Sequence, residues 1–146
     1  MFRQWLTVCL FVAALPFSAG AGPTSLERYG RVDIAPTKTT IYIGTVSMRM
    51  PTFVRSHGIY SAPYAAKVFP YFFYNENGRL SIDVADAALR QLARGEPIEF
   101  TGRGVSSRGQ LRHIEGRAVP VDASSGTIKV RVFVTKKIQL IFNTTY

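Results

Sequence analysis

Short runs of alternating apolar and polar residues, separated by Gly, Pro and Asn, make up most of the chain beyond residue 40. Successive side chains of a β-strand point to opposite faces, so each run has one apolar and one polar face. Residues 79–84 and 127–135 show this pattern most clearly. The side chains predicted to face inward are Leu80, Ile82 and Val84 in the first run and Ile128, Val130, Val132 and Val134 in the second.

The pattern predicts strands over residues 42–50, 67–74, 79–84, 98–105, 111–119, 127–135 and 138–142. Asn77-Gly78 tolerates the positive φ of a tight turn, which predicts a hairpin joining residues 67–74 to 79–84. Residues 106–110 predict a second hairpin. Short, evenly spaced strands favour a mainly β fold, a single antiparallel β-barrel or β-sandwich of about six to eight strands.

One short helix is predicted to interrupt the strands at residues 86–94. Its apolar stripe consists of Leu89, Leu92 and Ala93, and Asp83 or Asp86 is expected to cap its N-terminus. Gly95 and Pro97 end it. A helix of about two turns needs tertiary packing, so we expect it to dock on an apolar surface.

The sequence KVFPYFFYNENG, residues 67–78, contains five aromatic residues among the six from Phe69 to Tyr74. In a strand, alternation would place Phe69, Tyr71 and Phe73 on one face and Phe72 and Tyr74 on the other. Two interpretations stay open. Either both faces are covered, one by the core and one by the helix, or the rings form an exposed patch of the kind that marks a binding site.

The N-terminus has the three parts of a secretory signal peptide. Arg3 supplies the positive region, 13 residues from Trp5 to Phe17 form the apolar segment, and Ala19-Gly20-Ala21 offers small residues for cleavage. That segment is too short to span a bilayer of about 30 Å. We expect residues 1–21 to be removed, leaving residues 22–146 as a single β-rich domain without a transmembrane helix.

The expected mature chain contains no cysteine, because Cys9 lies in the signal peptide. Small secreted domains that lack a large core depend on disulfides, so their absence favours a bacterial periplasmic or envelope protein with a hydrophobic core. Removing Arg3 leaves 17 basic and nine acidic residues, a net charge of +8. Such a charge favours anionic partners, namely lipid headgroups or anionic cell-surface polysaccharide.

No catalytic motif is evident. The two histidines, His57 and His113, show no metal-binding spacing, and no Gly-x-Ser-x-Gly or phosphate-binding glycine motif occurs. Glu96 and Glu99 are the only close acidic pair after the helix, and in a strand they would point to opposite faces. We therefore expect a protein that is not an enzyme and that has no metal or other cofactor.

Arginines recur along the second predicted hairpin, at positions 103, 108, 112 and 117. A guanidinium group suits phosphate and carboxylate ligands, although surface charge pairing with Glu99 and Glu115 is the commoner explanation for such arginines. Nucleic-acid binding would need aromatic rings among them, and Phe100 is expected to face inward. The candidate ligand-binding residues are Tyr71, Phe73, Tyr74, Arg103, Arg112 and Arg117.

The C-terminal residues resemble the last strand of outer-membrane β-barrels over about nine residues, since Ile138, Leu140, Phe142 and Tyr146 share one face with Thr144. The charged faces of residues 79–84 and 127–135 favour a soluble sheet instead. Together these features predict an exported, non-enzymatic protein that binds an apolar or amphipathic anionic ligand or surface. The alternative is a purely structural module of the cell envelope.

If the signal peptide is cleaved as predicted, N-terminal sequencing of the protein from its native host should begin at Gly22. The small residues at the cleavage positions are the physical reason. A cytosolic product that retains Met1 would contradict export.

Overall fold

The computed structural model describes residues 25–42 and 44–146. The predicted signal peptide lies outside these residues, as does Ile43. Two short helices are present, α1 (Ser25–Arg28) and α2 (Asp86–Ala93), with a 3-10 turn at Phe72–Tyr74. The strands are β1 (Arg31–Asp33), β2 (Thr37–Ile41), β3 (Gly44–Arg49), β4 (Thr52–Ser56), β5 (Ile59–Phe69), β6 (Glu76–Asp83), β7 (Ile98–Ser106), β8 (Leu111–Pro120), β9 (Gly126–Phe133) and β10 (Gln139–Thr145).

All of these strands belong to one antiparallel sheet, curled like half of a barrel. The order is β1-β4-β5-β6-β7-β8-β9-β10, with β2 paired to β3 and β3 paired to β5. The long strand β5 pairs with both β3 and β4 on the same edge: Val54 lies opposite Ser61, and Met48 lies opposite Ala66. The mainly β class is confirmed, and the sheet is single rather than a pair of packed layers.

The curl brings β10 beside the segment that joins β1 to β2. The Ala35 amide donates to the Thr145 carbonyl at 3.0 Å, and the Thr144 hydroxyl donates to the Ala35 carbonyl at 2.6 Å. The Thr37 hydroxyl donates to the Asn143 carbonyl at 2.8 Å. These bonds satisfy polar groups that would otherwise lie unpaired along the last strand.

The core occupies the concave side of the sheet. The side chains that alternation assigned to the interior of residues 79–84 and 127–135 are buried or packed against the core there, which confirms the predicted faces of β6 and β9. Phe100 also faces inward as predicted. Ile114 on β8 is the largest fully buried side chain of the described chain.

A close contact between Phe100 and Gly116 supports the curvature. These residues lie directly opposite each other on β7 and β8, and a Cβ atom at position 116 would come within 2.2 Å of the Phe100 ring. Only glycine leaves room for the ring to lie flat over the neighbouring strand. Glycine at such a position is typical of a sharply bent sheet.

Helix α2 forms at Asp86–Ala93 as predicted, and its Leu89 and Leu92 are buried in the core. The predicted cap is wrong. Ala85 is the N-cap and makes no side-chain bond, whereas Asp86 accepts a 2.6 Å hydrogen bond from Arg55. Helix α1, which was not predicted, packs against α2.

The strand count is higher than predicted, ten against six to eight. The sequence pattern missed β1, β2, β4 and the first half of β5. Strands β1 to β4 are short because the chain is interrupted at residues 34–36, between β1 and β2, and at residues 50–51, between β3 and β4. Proline has no N–H group for the ladder, so each interruption divides what would be one long strand.

The predicted aromatic strand is also wrong. Strand β5 ends at Phe69, and the chain from Pro70 to Asn75 forms a loop with the 3-10 turn. Asn77-Gly78 lies within β6 rather than in a turn, and Arg79 lies opposite Pro63, not opposite residues 67–74. Pro70 cannot donate to the ladder, and the Asn75 side chain instead accepts the Val68 N–H at 2.8 Å.

Helix α2 cannot cover the rings, because the helix and the rings lie at opposite ends of β6. The rings precede the first residue of β6, and the helix follows its last residue. Of the two interpretations of the aromatic residues, burial on both faces is therefore wrong. Within the described chain, no helix is long and apolar enough to cross a bilayer.

Replacing Ile114 by Ala should lower the free energy of unfolding by about 2–5 kcal/mol, because the residue is 2 % exposed and the truncation leaves a cavity. The matched control is Ile141→Ala on the convex face, where the side chain is 40 % exposed and the loss should stay near 0.5 kcal/mol. Urea unfolding measures both. Equal losses would contradict the assignment of the concave face as the core.

Candidate ligand-binding cavity

The concave side of the sheet encloses a cavity of about 700 Å³. Its walls are inward side chains of all ten strands, and nearly all are aliphatic or aromatic. Representative wall residues are Val46, Met48, Ala66, Ile114, Val132 and Phe142. Small-molecule sites have volumes of about 300–1,000 Å³ and mostly apolar walls, so this cavity has the size and character of a ligand pocket.

One end of the cavity, which we call the helix end, is lined by Leu89 and Leu92 of α2 and by Tyr29, which directly follows α1. The Tyr60 hydroxyl donates to the Tyr29 carbonyl at 2.5 Å. Burial is the main reason that the pKa of Tyr60 rises to about 12, so its hydroxyl keeps its proton and remains a donor at neutral pH. The helix end is thus held by apolar packing and a buried hydrogen bond.

The opposite end, which we call the mouth, is formed by the loops between β2 and β3, β5 and β6, β7 and β8, and β9 and β10. Polar and aromatic side chains replace the aliphatic walls here. Those that line the cavity are Phe73, Tyr74, Asn75, Glu76, Arg108, Gln110, Arg112 and Thr135. Charged groups therefore occur at one end of an otherwise apolar cavity.

Glu76 and Arg112 form the central ion pair of the mouth. The Arg112 Nη2 donates to Glu76 Oε2 at 2.7 Å, and its Nε donates to Oε1 at 3.3 Å, a two-pronged geometry. The Tyr64 hydroxyl donates to Glu76 Oε1 at 2.5 Å. Arg112 also donates to the Val134 carbonyl at 3.2 Å and to the Gln110 side chain at 2.8 Å.

This network fixes the charge of the mouth. Burial alone would raise the pKa of Glu76, but hydrogen bonds from Arg112 and Tyr64, with the charges of Arg112 and Arg108, bring it below the ordinary value of 4.5. The pKa of Tyr64 is raised, first by burial and then by the bond to Glu76 and its negative charge. At neutral pH, Glu76 is therefore an anion and Tyr64 a neutral donor.

The aromatic loop, which we define as Phe69–Tyr74, lies at the mouth and is exposed. Phe72 and Phe73 are 65 % and 66 % exposed. The rings of the loop contact one another: the ring centroids of Tyr71 and Phe73 lie 5.7 Å apart, those of Phe73 and Tyr74 4.5 Å, and those of Phe69 and Phe72 6.0 Å. Burial of these rings in the protein itself is therefore small.

The structure brings some of the predicted site residues together and separates others. Tyr71, Phe73, Tyr74 and Arg112 lie at the mouth. Arg103 and Arg117 are exposed and do not line the cavity; Arg103 lies opposite His113, and Arg117 lies opposite Glu99. Alternation along β7 and β8 explains the difference, because Arg112 shares the inward face with Ile114 and Arg117 does not.

Sequence reasoning missed Tyr64, Glu76 and Gln110. Tyr64 belongs to the overlooked half of β5, where every second residue from Tyr60 to Val68 is apolar, so the alternation that could have identified it was present. Glu76 was assigned to a turn and instead begins β6. Gln110 lies in the loop between β7 and β8.

Neither histidine lines the cavity. His57 is in the turn between β4 and β5. His113 is exposed, and its Nε2 lies 3.2 Å from Glu115 Oε1. In the part of the chain that the structure describes, no three His, Cys, Asp or Glu residues gather to hold a metal ion. No known protein family, curated protein or solved structure matches the chain.

Replacing Glu76 by Gln should lower the free energy of unfolding at about pH 7 by about 1.5–3 kcal/mol, because charge-assisted hydrogen bonds are lost. The depressed pKa of Glu76 means that its stabilisation is present above the ordinary value of 4.5 and is lost as the pH falls through the folded value. Wild type should therefore lose more stability on acidification than Glu76→Gln does.

Urea unfolding across the acidic range measures this difference. Glu99→Gln, on an exposed position of β7, controls for the loss of one carboxylate. If the free energy of unfolding fell equally steeply with acidification in wild type and in Glu76→Gln, the proposed stabilisation by the ion pair would be contradicted.

Proposed function

We propose that this protein is an exported, non-enzymatic envelope protein that holds one amphipathic anionic molecule. Its apolar part would occupy the cavity, and its anionic group would lie at the mouth beside Arg108 and Arg112. One observation carries the proposal: an apolar cavity of about 700 Å³ has its charged residues at one end only.

The charge of the mouth supports an anionic head group. Arg108 and Arg112 both act on Glu76, and one carboxylate balances only one of the two cations. Arg112 is committed to Glu76 through two donors, whereas Arg108 is exposed in the loop between β7 and β8. The charge of Arg108 is therefore the one available to an external anion, and the Gln110 side chain, which accepts from Arg112 at 2.8 Å, also lines the cavity.

The closure of the sheet supports an enclosed ligand. We propose that β1 with β2, and β3 with β4, each act as one interrupted strand. The sheet then forms an eight-stranded barrel that closes where the Ala35 amide meets Thr145. Barrels of eight strands have an interior that fits one small ligand.

The alternative, a purely structural module, would use the aromatic residues as core. The exposure of the aromatic loop counts against that use, since four of its five aromatic residues are more than half exposed and such residues add little to stability. The same exposure favours contact with something outside the protein.

Binding can be tested with dansyl-undecanoic acid, an anionic amphiphile whose fluorescence rises in apolar surroundings. The chain from residue 22 should bind it, and Ala66→Phe should weaken binding about tenfold or more, because the added ring fills the space that the probe occupies. The matched control is Ala65→Phe, which places the same ring on the opposite face of β5 and should bind as wild type does.

Equal affinities in the two variants would contradict binding within the cavity. Arg108→Gln should also weaken the anionic probe but leave the affinity for dansyl-undecanol, the uncharged alcohol of the same length, unchanged. A parallel loss for both probes would contradict a head-group role for Arg108.

A further inference from the structure

Exposed apolar side chains surround the mouth. They are Tyr42 between β2 and β3, the aromatic loop between β5 and β6, Leu111 at the start of β8, and Ile138 between β9 and β10. Leu111 is 69 % exposed and Ile138 50 %. Three loops and one strand end around the same opening thus present apolar side chains to solvent.

Basic side chains accompany these apolar tips. Lys67, Arg108, Lys136 and Lys137 are exposed in the same loops or in the strand ends beside them. Among the described residues of this region, Glu76 is the only acid, and Arg112 already pairs with it. Most other acids lie in elements at the helix end, namely Asp83, Asp86, Glu96, Glu99 and Asp122.

We propose that the mouth docks on the surface of an anionic lipid bilayer. The aromatic loop, with Tyr42, Leu111 and Ile138, would enter the headgroup region, and the four basic residues would contact lipid phosphates. This inference rests on the proposed function in one respect: a bilayer is the source from which an amphipathic ligand could enter the cavity directly.

The chemistry of the mouth matches a bilayer interface in two ways. Tyrosine rings combine an apolar body with a hydroxyl group that stays hydrated, which is why aromatic residues concentrate at membrane interfaces. Lysine and arginine near an anionic leaflet gain electrostatic attraction. A basic surface with apolar tips is the arrangement that binds peripheral proteins to membranes.

The shape of the mouth favours lipid over a protein partner. Its apolar groups project from separate loops around an opening rather than forming one continuous patch, and a protein bound there would cover the opening. A fluid bilayer can accommodate separate tips and leave the cavity accessible to lipid.

A tryptophan reporter tests the docking orientation. Trp5 is the only tryptophan of the sequence, so the chain from residue 22 has none. Phe73→Trp places one at the mouth, and Val121→Trp places one in the loop between β8 and β9 at the helix end, where the native side chain is 74 % exposed. Vesicles of equal parts phosphatidylglycerol and phosphatidylcholine should shift the Phe73→Trp emission to shorter wavelength and leave that of Val121→Trp unchanged.

Charge reversal tests the electrostatic part. Lys136→Glu with Lys137→Glu should weaken vesicle binding about tenfold or more, because about 1 kcal/mol is gained per basic residue near an anionic surface. The matched control, Arg31→Glu with Arg90→Glu, makes the same change in net charge away from the mouth and should retain most of the binding. Binding of wild type should also fall at high salt and on pure phosphatidylcholine.

Docking is overturned if both tryptophan reporters shift equally, if neither shifts, or if the two double variants lose binding equally. Failure of the proposed function looks different. A protein that docks on vesicles by its mouth but takes up no soluble probe would keep the docking surface and contradict the ligand cavity. Ala66→Phe should accordingly bind vesicles as wild type does while losing the probe.

Discussion

A single curled sheet has to cover its own concave face, and the rest of the structure depends on this constraint. No second sheet packs against it in the described chain, so its inward apolar side chains leave water mainly by facing one another across the curl, with Leu89 and Leu92 of α2 added at one end. Tight curvature needs places where strands approach closely, and Phe100 lying over Gly116 is one of them. The bonds from the Ala35 segment to β10 then hold the two margins of the sheet together.

Curling leaves two open ends, which are bordered by different elements. At the helix end, α2 supplies Leu89 and Leu92 to the core, and Arg55 holds its first turn through Asp86 and the Val84 carbonyl. At the mouth, loops surround the opening, with Glu76, Arg112 and the aromatic loop in place of a helix. An apolar interior closed at one end and polar at the other is suited to a ligand that has an apolar part and a charged part.

The ion pair of Glu76 and Arg112 connects the core to the surface chemistry of the mouth. A half-buried carboxylate is tolerated only where donors compensate for its desolvation, and Tyr64 and Arg112 provide them. Because Tyr64 stands on β5, Glu76 on β6 and Arg112 on β8, the network also ties three strands of the sheet together at the mouth. It fixes the anionic partner of Arg112 within the protein and leaves the neighbouring Arg108 to meet an external anion.

The sequence by itself determined the mainly β class, the helix at residues 86–94 and the inward faces of β6 and β9, since strand alternation and helical periodicity are local properties of the chain. It also marked Tyr71, Phe73, Tyr74 and Arg112 as candidates. Only the tertiary structure decided that the aromatic residues form an exposed loop, that Arg103 and Arg117 stand apart from Arg112, and that Glu76 and Tyr64 meet it. Those outcomes depend on where β5 ends and which strands pair with it, and pairing over such distances along the chain follows from the closing of the whole sheet rather than from any local pattern.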